Sequence, residues 1–168
     1  MFSVLKNLFG RTLYVQIWEN RIRVVDLKSQ RAFDEKPLLC IDMKKGHRAK
    51  VLAFGNAAVG NTNTGTAINP FSHPRSLISD PYVAGKLLKL VVKQLCGSRL
   101  FSPVAAIIIQ PMEKMEGELT ATESKGLRDI ALEVGCENCF IYTRKTVLDP
   151  SIRSLNDFIK RGEANPLT

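Results

Sequence analysis

The sequence predicts an α/β domain built on a mixed β-sheet, and three observations carry that reading. The first third alternates β-branched and aromatic residues with polar ones in short runs. Pro103–Gln110 (PVAAIIIQ) is continuously apolar, the pattern of a central strand covered on both faces. After Asp80, apolar stripes at helical spacing alternate with further strand-like runs. Hairpins followed by helix-connected strands imply a sheet of about five to six strands whose parallel part is covered by helices.

In chain order, the opening MFSVLKNLFGRT sets Met1, Phe2, Leu5, Leu8 and Phe9 at helical spacing, with Lys6 and Arg11 forming a basic rim. Such an amphipathic segment can lie in a headgroup layer or dock on its own domain. Leu13–Leu27 reads as two strands around a turn at Glu19-Asn20. Pro37–Ile41 and Lys50–Phe54 follow, separated by the basic loop 44–48, and extend the sheet as a meander. Gly55–Arg75 has no periodicity and reads as a long surface loop containing at most a short helix, a feature often tied to function.

Asp80-Pro81 supplies an N-cap and an N1 proline for a helix carrying Val83, Leu87, Leu90, Val91 and Leu95 inward, with Lys86, Lys89 and Lys93 on its wet side. Thr120 and Glu123 stand in capping-box spacing ahead of the stripe Leu127, Ile130, Ala131 and Val134, which stops at Gly135. Cys139–Tyr142 is the next strand. Asp149-Pro150 then opens a last helix with Ile152, Leu155, Phe158 and Ile159.

One core suits 168 residues, 45% of them hydrophobic, so no disulfide or metal is needed for folding. Cys40, Cys96, Cys136 and Cys139 are scattered among apolar residues and fit a reducing cytoplasm. No apolar run approaches the ~18–20 residues that span a bilayer. Of the formal charge of +8, residues 1–50 carry 11 Lys/Arg against 5 Asp/Glu, or +6, so an anionic partner meets the N-terminal third.

The element order matches the ribonuclease H-like half that sugar kinases, heat-shock chaperones and actins duplicate. Within that class the residues resemble the bacterial actin-like family of the rod shape-determining protein MreB. MFSVLKNLFG is similar to that family's membrane-binding start, and Phe33–Ile41 (FDEKPLLCI) and Val51–Gly55 (VLAFG) to two of its strands. Thr122–Tyr142 (TESKGLRDIALEVGCENCFIY) is similar to its helix and following strand. The resemblance covers nearly all of the first 150 or so residues and implies an actin-like domain over 13–162, preceded by the segment 1–12 and followed by a tail, 163–168. The family continues into a second half with a further phosphate loop and the adenosine pocket.

The nucleotide motifs of that family are altered here. Its Asp-Leu-Gly-Thr turn falls on Gln16-Ile17-Trp18-Glu19, where an amide replaces the anionic anchor for Mg²⁺, Trp18 blocks approach to the backbone and Glu19 repels phosphate. Its Glu-Glu-Pro appears as Thr143-Arg144-Lys145. Glu123 aligns with its water-activating acid, although the same residue suits a capping role. Cys136 and Cys139 make one CxxC pair, half of a zinc site, and His47 and His73 join it only by chance geometry. A two-metal nuclease needs a carboxylate at Gln16. Arg21, Arg23, Lys44, Lys45 and Arg48 lack interleaved aromatics, which disfavours a nucleic-acid platform.

The sequence therefore predicts a protein without enzymatic activity, cofactor or metal: an MreB-like pseudo-actin, cytoplasmic and peripheral at the inner face of the cell membrane. It would act as an adaptor or filament-interacting component in cell shape or envelope morphogenesis. Its membrane contact would be Phe2, Leu5, Lys6, Leu8, Phe9 and Arg11, and its protein partner an MreB filament or further copies of itself. Two other readings stay open: a cytoplasmic scaffold of a pilus or secretion assembly, and an ATPase half completed by a partner chain, with Glu123 as its acid.

Overall fold

A computed structural model describes residues 10–42, 49–61, 65–97, 104–116, 119–136 and 138–162. The chain runs β1 (Arg11–Ile17), β2 (Ile22–Asp26), β3 (Ala32–Glu35), β4 (Leu39–Asp42), β5 (Lys50–Phe54), β6 (Thr66–Ile68), α1 (Pro81–Cys96), β7 (Val104–Pro111), α2 (Ala121–Glu133), β8 (Asn138–Ile141) and α3 (Leu155–Lys160). A 3-10 helix, Gly55–Asn61, lies between β5 and β6. The main sheet has five strands in the order β3-β2-β1-β7-β8. β1, β2 and β3 pair antiparallel, whereas β1 with β7 and β7 with β8 pair parallel, so the sheet is mixed as expected.

Strand alternation divides the core into two layers. Leu13, Val15 and Ile17 of β1, with Ile22, Val24, Ile107 and Ile109, meet α1 and α2 through Leu87, Leu88, Val91, Leu127 and Ile130. On the other face, Tyr14, Val25, Ala106 and Ile108 pack with Leu148, Ile152, Leu155 and Phe158. The apolar run of β7 thus serves both layers. α1 and α2 approach closely at Gly85, where a Cβ would lie 2.9 Å from Cβ of Glu133.

The expected single meander is corrected. β4, β5 and β6 form a separate three-stranded antiparallel sheet in the order β5-β4-β6. Pro37 has no N–H to prolong the ladder beyond β3. The chain turns there instead, with Lys36 N–H donating to Asn56 Oδ1 at 3.1 Å and Gly55 N–H to Leu38 O at 2.9 Å. The small sheet leans on α1 through Leu39, Ile41 and Val83, and the Phe33 and Phe54 rings stack at 6.0 Å to join it to β3.

β3 and β6 are strands that sequence patterning did not reveal. β6 lies inside the stretch read as a loop, and so does the 3-10 helix.

The helix starts follow their caps. Asp80 accepts from Val83 N–H at 3.0 Å with Pro81 in the first turn, and Thr120 with Glu123 forms a complete capping box. The last helix is also corrected, because it begins at Leu155 and not at Asp149-Pro150. Asp149 is occupied in a turn, accepting from Ser151 N–H at 2.8 Å and pairing with Arg161. Ser154 is the N-cap, accepting from Asp157 N–H at 3.2 Å.

Three buried polar side chains of the main sheet, Tyr14, Gln110 and Asp26, have partners. Tyr14 Oη donates to Gln110 Oε1 and accepts from Leu148 N–H at 3.2 Å. Gln110 Nε2 donates to Arg144 O at 2.7 Å and Thr146 O at 3.0 Å, which ties the segment after β8 to the sheet. Asp26, 1% exposed, is held by Arg11 at 2.5 Å, by Ser29 Oγ at 2.6 Å and by Lys28 N–H at 3.1 Å.

Two substitutions test this frame. Tyr14→Phe leaves Gln110 Oε1 and Leu148 N–H without their buried partner, and urea unfolding should register a loss of about 1–3 kcal/mol. Gly55 has φ +65, and a Cβ there would fall on the Glu35 carboxylate that accepts from Asn56 N–H at 2.7 Å. Gly55→Ala should cost about 2–4 kcal/mol from backbone strain and the displaced hydrogen bond, measured the same way.

Candidate functional site at the β1–β2 turn

The turn joining β1 to β2 is where the resemblance places phosphate contacts. It is closed by Trp18 N–H donating to Arg21 O at 2.9 Å. The next amide, Glu19 N–H, donates to Oε2 of Glu113 at 2.8 Å. A carboxylate of the same chain therefore takes the amide that an anionic ligand would use. Glu19 itself pairs with Lys114 Nζ at 3.0 Å, and its carbonyl accepts from Asn69 Nδ2 at 2.8 Å. Lys114 also donates to Phe71 O at 3.4 Å and to His73 O.

One ammonium thus binds three segments together: the turn, residues 69–73 and the stretch after β7. Lys114 adopts φ 58, a left-handed conformation unusual for a residue with a Cβ. The interactions of its ammonium hold it there.

The rest of the turn is equally engaged. The Arg21 guanidinium lies 4.8 Å from the Trp18 ring centroid and grips Asp34 with two hydrogen bonds of 2.6 Å. Those hydrogen bonds hold the Asp34 carboxyl below its ordinary pKa. Arg23 reaches Asp34 at 3.6 Å and donates to Gln16 Oε1 at 3.2 Å. Gln16 is 2% exposed, stands in register with Gln110 and donates to Met112 Sδ at 3.6 Å. Arg21 and Arg23 are therefore spent on Asp34, while Lys44, Lys45 and Arg48 lie outside the described residues.

Glu123 accepts from Thr120 N–H at 3.1 Å, from Thr120 Oγ1 at 2.9 Å and from Leu77 N–H at 3.4 Å. Burial raises its pKa, but the hydrogen bonds from Thr120, Leu77 and Ser76 outweigh burial and hold the carboxyl below its ordinary value. The side chain is committed to starting α2 and to fastening the loop before α1. Thr143, Arg144 and Lys145 follow β8 with exposed side chains.

The other sequence candidates fall elsewhere. Arg11, assigned above to the membrane contact, instead pairs with the buried Asp26, because a buried carboxylate needs a partner. Phe2, Leu5, Lys6, Leu8 and Phe9 lie outside the described residues. Cys136 is buried and donates to Asn138 O at 3.3 Å. The Cys139 thiol is pushed up to about 12 by burial and by neighbouring Cys136, the opposite of a reactive thiolate. His73 Nδ1 accepts from Ser76 N–H at 2.9 Å and Arg75 N–H at 3.2 Å, and His47 lies outside the described residues. Among the described residues no group of three or more His, Cys, Asp or Glu is placed to hold a metal ion.

Glu113, Lys114 and Asn69 are the residues that sequence reading missed. Gln110 carried a signal, as the polar residue ending an otherwise apolar strand.

No family model matches the chain, and no curated protein matches it. Solved structures do. MreB5 of Spiroplasma citri bound to AMPPNP superposes with a TM-score of 0.60 at 16% identity, covering 79% of this chain and 38% of that one. A non-polymerising MamK mutant bound to AMPPNP gives 0.63 at 18% identity, covering 79% of this chain and 40% of that one. The fold is therefore actin-like, and the chain spans about two fifths of the length of those structures.

The capping role of Glu123 predicts a pH dependence. A carboxyl depressed by folding contributes stability above its unfolded pKa and loses it as pH falls through the folded value, so the loss sits below roughly pH 4.3. Glu123→Gln should flatten the acid limb of a stability–pH curve in that window. Thr120→Ala should cost about 1 kcal/mol at neutral pH, measured by urea unfolding.

Proposed function

We propose that this chain is a non-catalytic, MreB-like pseudo-actin: a membrane-associated adaptor or filament-interacting component of bacterial cell shape or envelope morphogenesis. Its place would be the cytoplasmic face of the cell membrane, and its partners a filament of the same fold or further copies of itself. The observation that carries the non-catalytic part is the closure of the β1–β2 turn. Glu113 holds the Glu19 amide, Lys114 holds the Glu19 carboxylate, and Trp18 lies under Arg21. A triphosphate approaching this turn meets two carboxylates and an indole in place of free backbone amides.

Gln16 supports the same reading, since its amide is engaged by Arg23 and Met112 and offers no anionic anchor for Mg²⁺. Glu123 is already used to cap α2. The solved neighbours described as bound to AMPPNP share the fold at low identity, so nucleotide use does not carry over by likeness. No helix among the described residues is long and apolar enough to cross a membrane. The membrane contact in this reading is peripheral, through Phe2, Leu5, Leu8 and Phe9 with Lys6.

Co-sedimentation with vesicles containing phosphatidylglycerol tests the membrane part. The wild-type chain should pellet with the vesicles, and replacing Phe2, Leu5, Leu8 and Phe9 by Ser should leave it in the supernatant. Unchanged pelleting of the variant would remove the N-terminal contact from the account.

A further inference from the structure

The two ends of the main sheet present different charge patterns. At the end holding the Trp18–Arg21 turn, cations and carboxylates are interspersed: Arg21 and Arg23 are matched by Asp34, Lys114 by Glu19 and Lys125 by Asp129, and the exposed Arg75, Arg144 and Lys145 share that end with Glu113 and Glu123. The opposite end holds the start of β1, the β2–β3 turn and the last turn of α1. Leu13 pairs with Asp26 and Val25 with Ala32, so the start of β1 stands beside turn residues 27–31. Arg11 pairs with Asp26 at 2.5 Å, and its charge acts on the Cys96 thiol at the end of α1. Burial pushes that thiol up, while the charges of Arg11 and Arg31 act on it in the other direction. Lys93 precedes Cys96 by three residues and so is its neighbour on the surface of α1.

Charges at this end do not cancel. Lys28, Arg31 and Lys93 are exposed, and none forms an ion pair among the described residues. Asp26, the carboxylate of the turn, is buried and held by Arg11. α1 contains no acidic residue, and Glu133 from α2 is paired with Lys89 at 3.6 Å. The turn has a fixed shape: Gln30, at φ 60, donates its N–H to Asp26 O at 2.7 Å, and Asp26 N–H donates to Arg31 O at 3.0 Å. Three cations are thereby presented from two rigid elements. Gly10, the first described residue, precedes β1 at this same end.

We infer that Lys28, Arg31 and Lys93 form a second contact with an anionic membrane surface, docking the domain by this end with the Trp18–Arg21 turn facing away. The inference rests on the membrane reading above and gives it an orientation. One short amphipathic segment holds a bilayer weakly, and stable attachment takes a second signal such as a basic patch. Each cation near an anionic surface contributes about fivefold in affinity, so three contribute on the order of a hundredfold.

The test uses the full chain and two kinds of vesicle, phosphatidylcholine alone and phosphatidylcholine containing phosphatidylglycerol. The variant Lys28→Gln/Arg31→Gln/Lys93→Gln should lose on the order of a hundredfold in affinity for the anionic vesicles. A control that removes three exposed cations from the other end, unpaired among the described residues, Arg75→Gln/Arg144→Gln/Lys145→Gln, should lose less than about threefold. Thermal melts of both variants should match wild type, since all six side chains are exposed.

Equal losses in the two variants would reduce the effect to net charge and overturn the inference, as would unchanged binding of the first. If the polar N-terminal variant stops pelleting while the triple variant still binds, the membrane reading stands and the basic end falls. If the triple variant alone loses binding, the basic end stands and the N-terminal contact falls.

Discussion

The parallel pairing of β1 with β7 is the constraint on which the rest of this structure depends. Each strand is buried on both faces, so its side chains are mostly apolar and the large polar ones, Tyr14, Gln16 and Gln110, are hydrogen-bonded. Alternation sends Leu13, Val15, Ile107 and Ile109 to one helical layer and Tyr14, Ala106 and Ile108 to the other. The exceptions to apolarity fix the periphery. Tyr14 and Gln110 reach out to hold residues 144–148, and Gln16 draws Arg23 over the end of the sheet. At the opposite end Arg11 must meet Asp26, which sets the β2–β3 turn.

The same strand pair delivers the candidate site. β1 ends at Ile17 and β7 at Pro111, so the segments that follow, Trp18–Arg21 and Met112–Lys114, emerge side by side. A meeting of strand ends such as this can leave backbone amides open to an anion. Here Glu113 and Lys114 cross to Glu19 and use the groups that would be open. Desolvation strengthens the Lys114 contacts, since its side chain is only 18% exposed and two carbonyls share the ammonium with Glu19. These contacts fasten the turn to the rest of the domain.

Much of the fold was legible in the sequence for identifiable reasons. The apolar run of β7 has one physical explanation, burial on two faces, and the caps at Asp80 and Thr120 act over three residues. Both are local statements, and both describe what the structure contains. The small sheet was not legible, because whether Leu39–Asp42 extends the first sheet or starts another depends on where Pro37 sends the chain. Asp149-Pro150 looked like a helix start because Asp is a good cap, yet Arg161, twelve residues on, claims that carboxylate.

The site divides in the same way. The Gln16–Glu19 turn could be singled out from its residue chemistry alone, whereas Glu113 and Lys114 lie 94 and 95 positions from Glu19 and gain meaning only once the strands are paired. Arg11 was assigned to a surface because Asp26, its buried partner, is fifteen residues away.

The central claim is that the β1–β2 turn is closed to nucleotide by the chain's own side chains. Isothermal titration of the full chain with Mg-ATP addresses it most directly. The account predicts no heat of binding up to millimolar nucleotide. Saturable micromolar binding would contradict it, since Glu113 and Trp18 would then have to leave the path that they occupy.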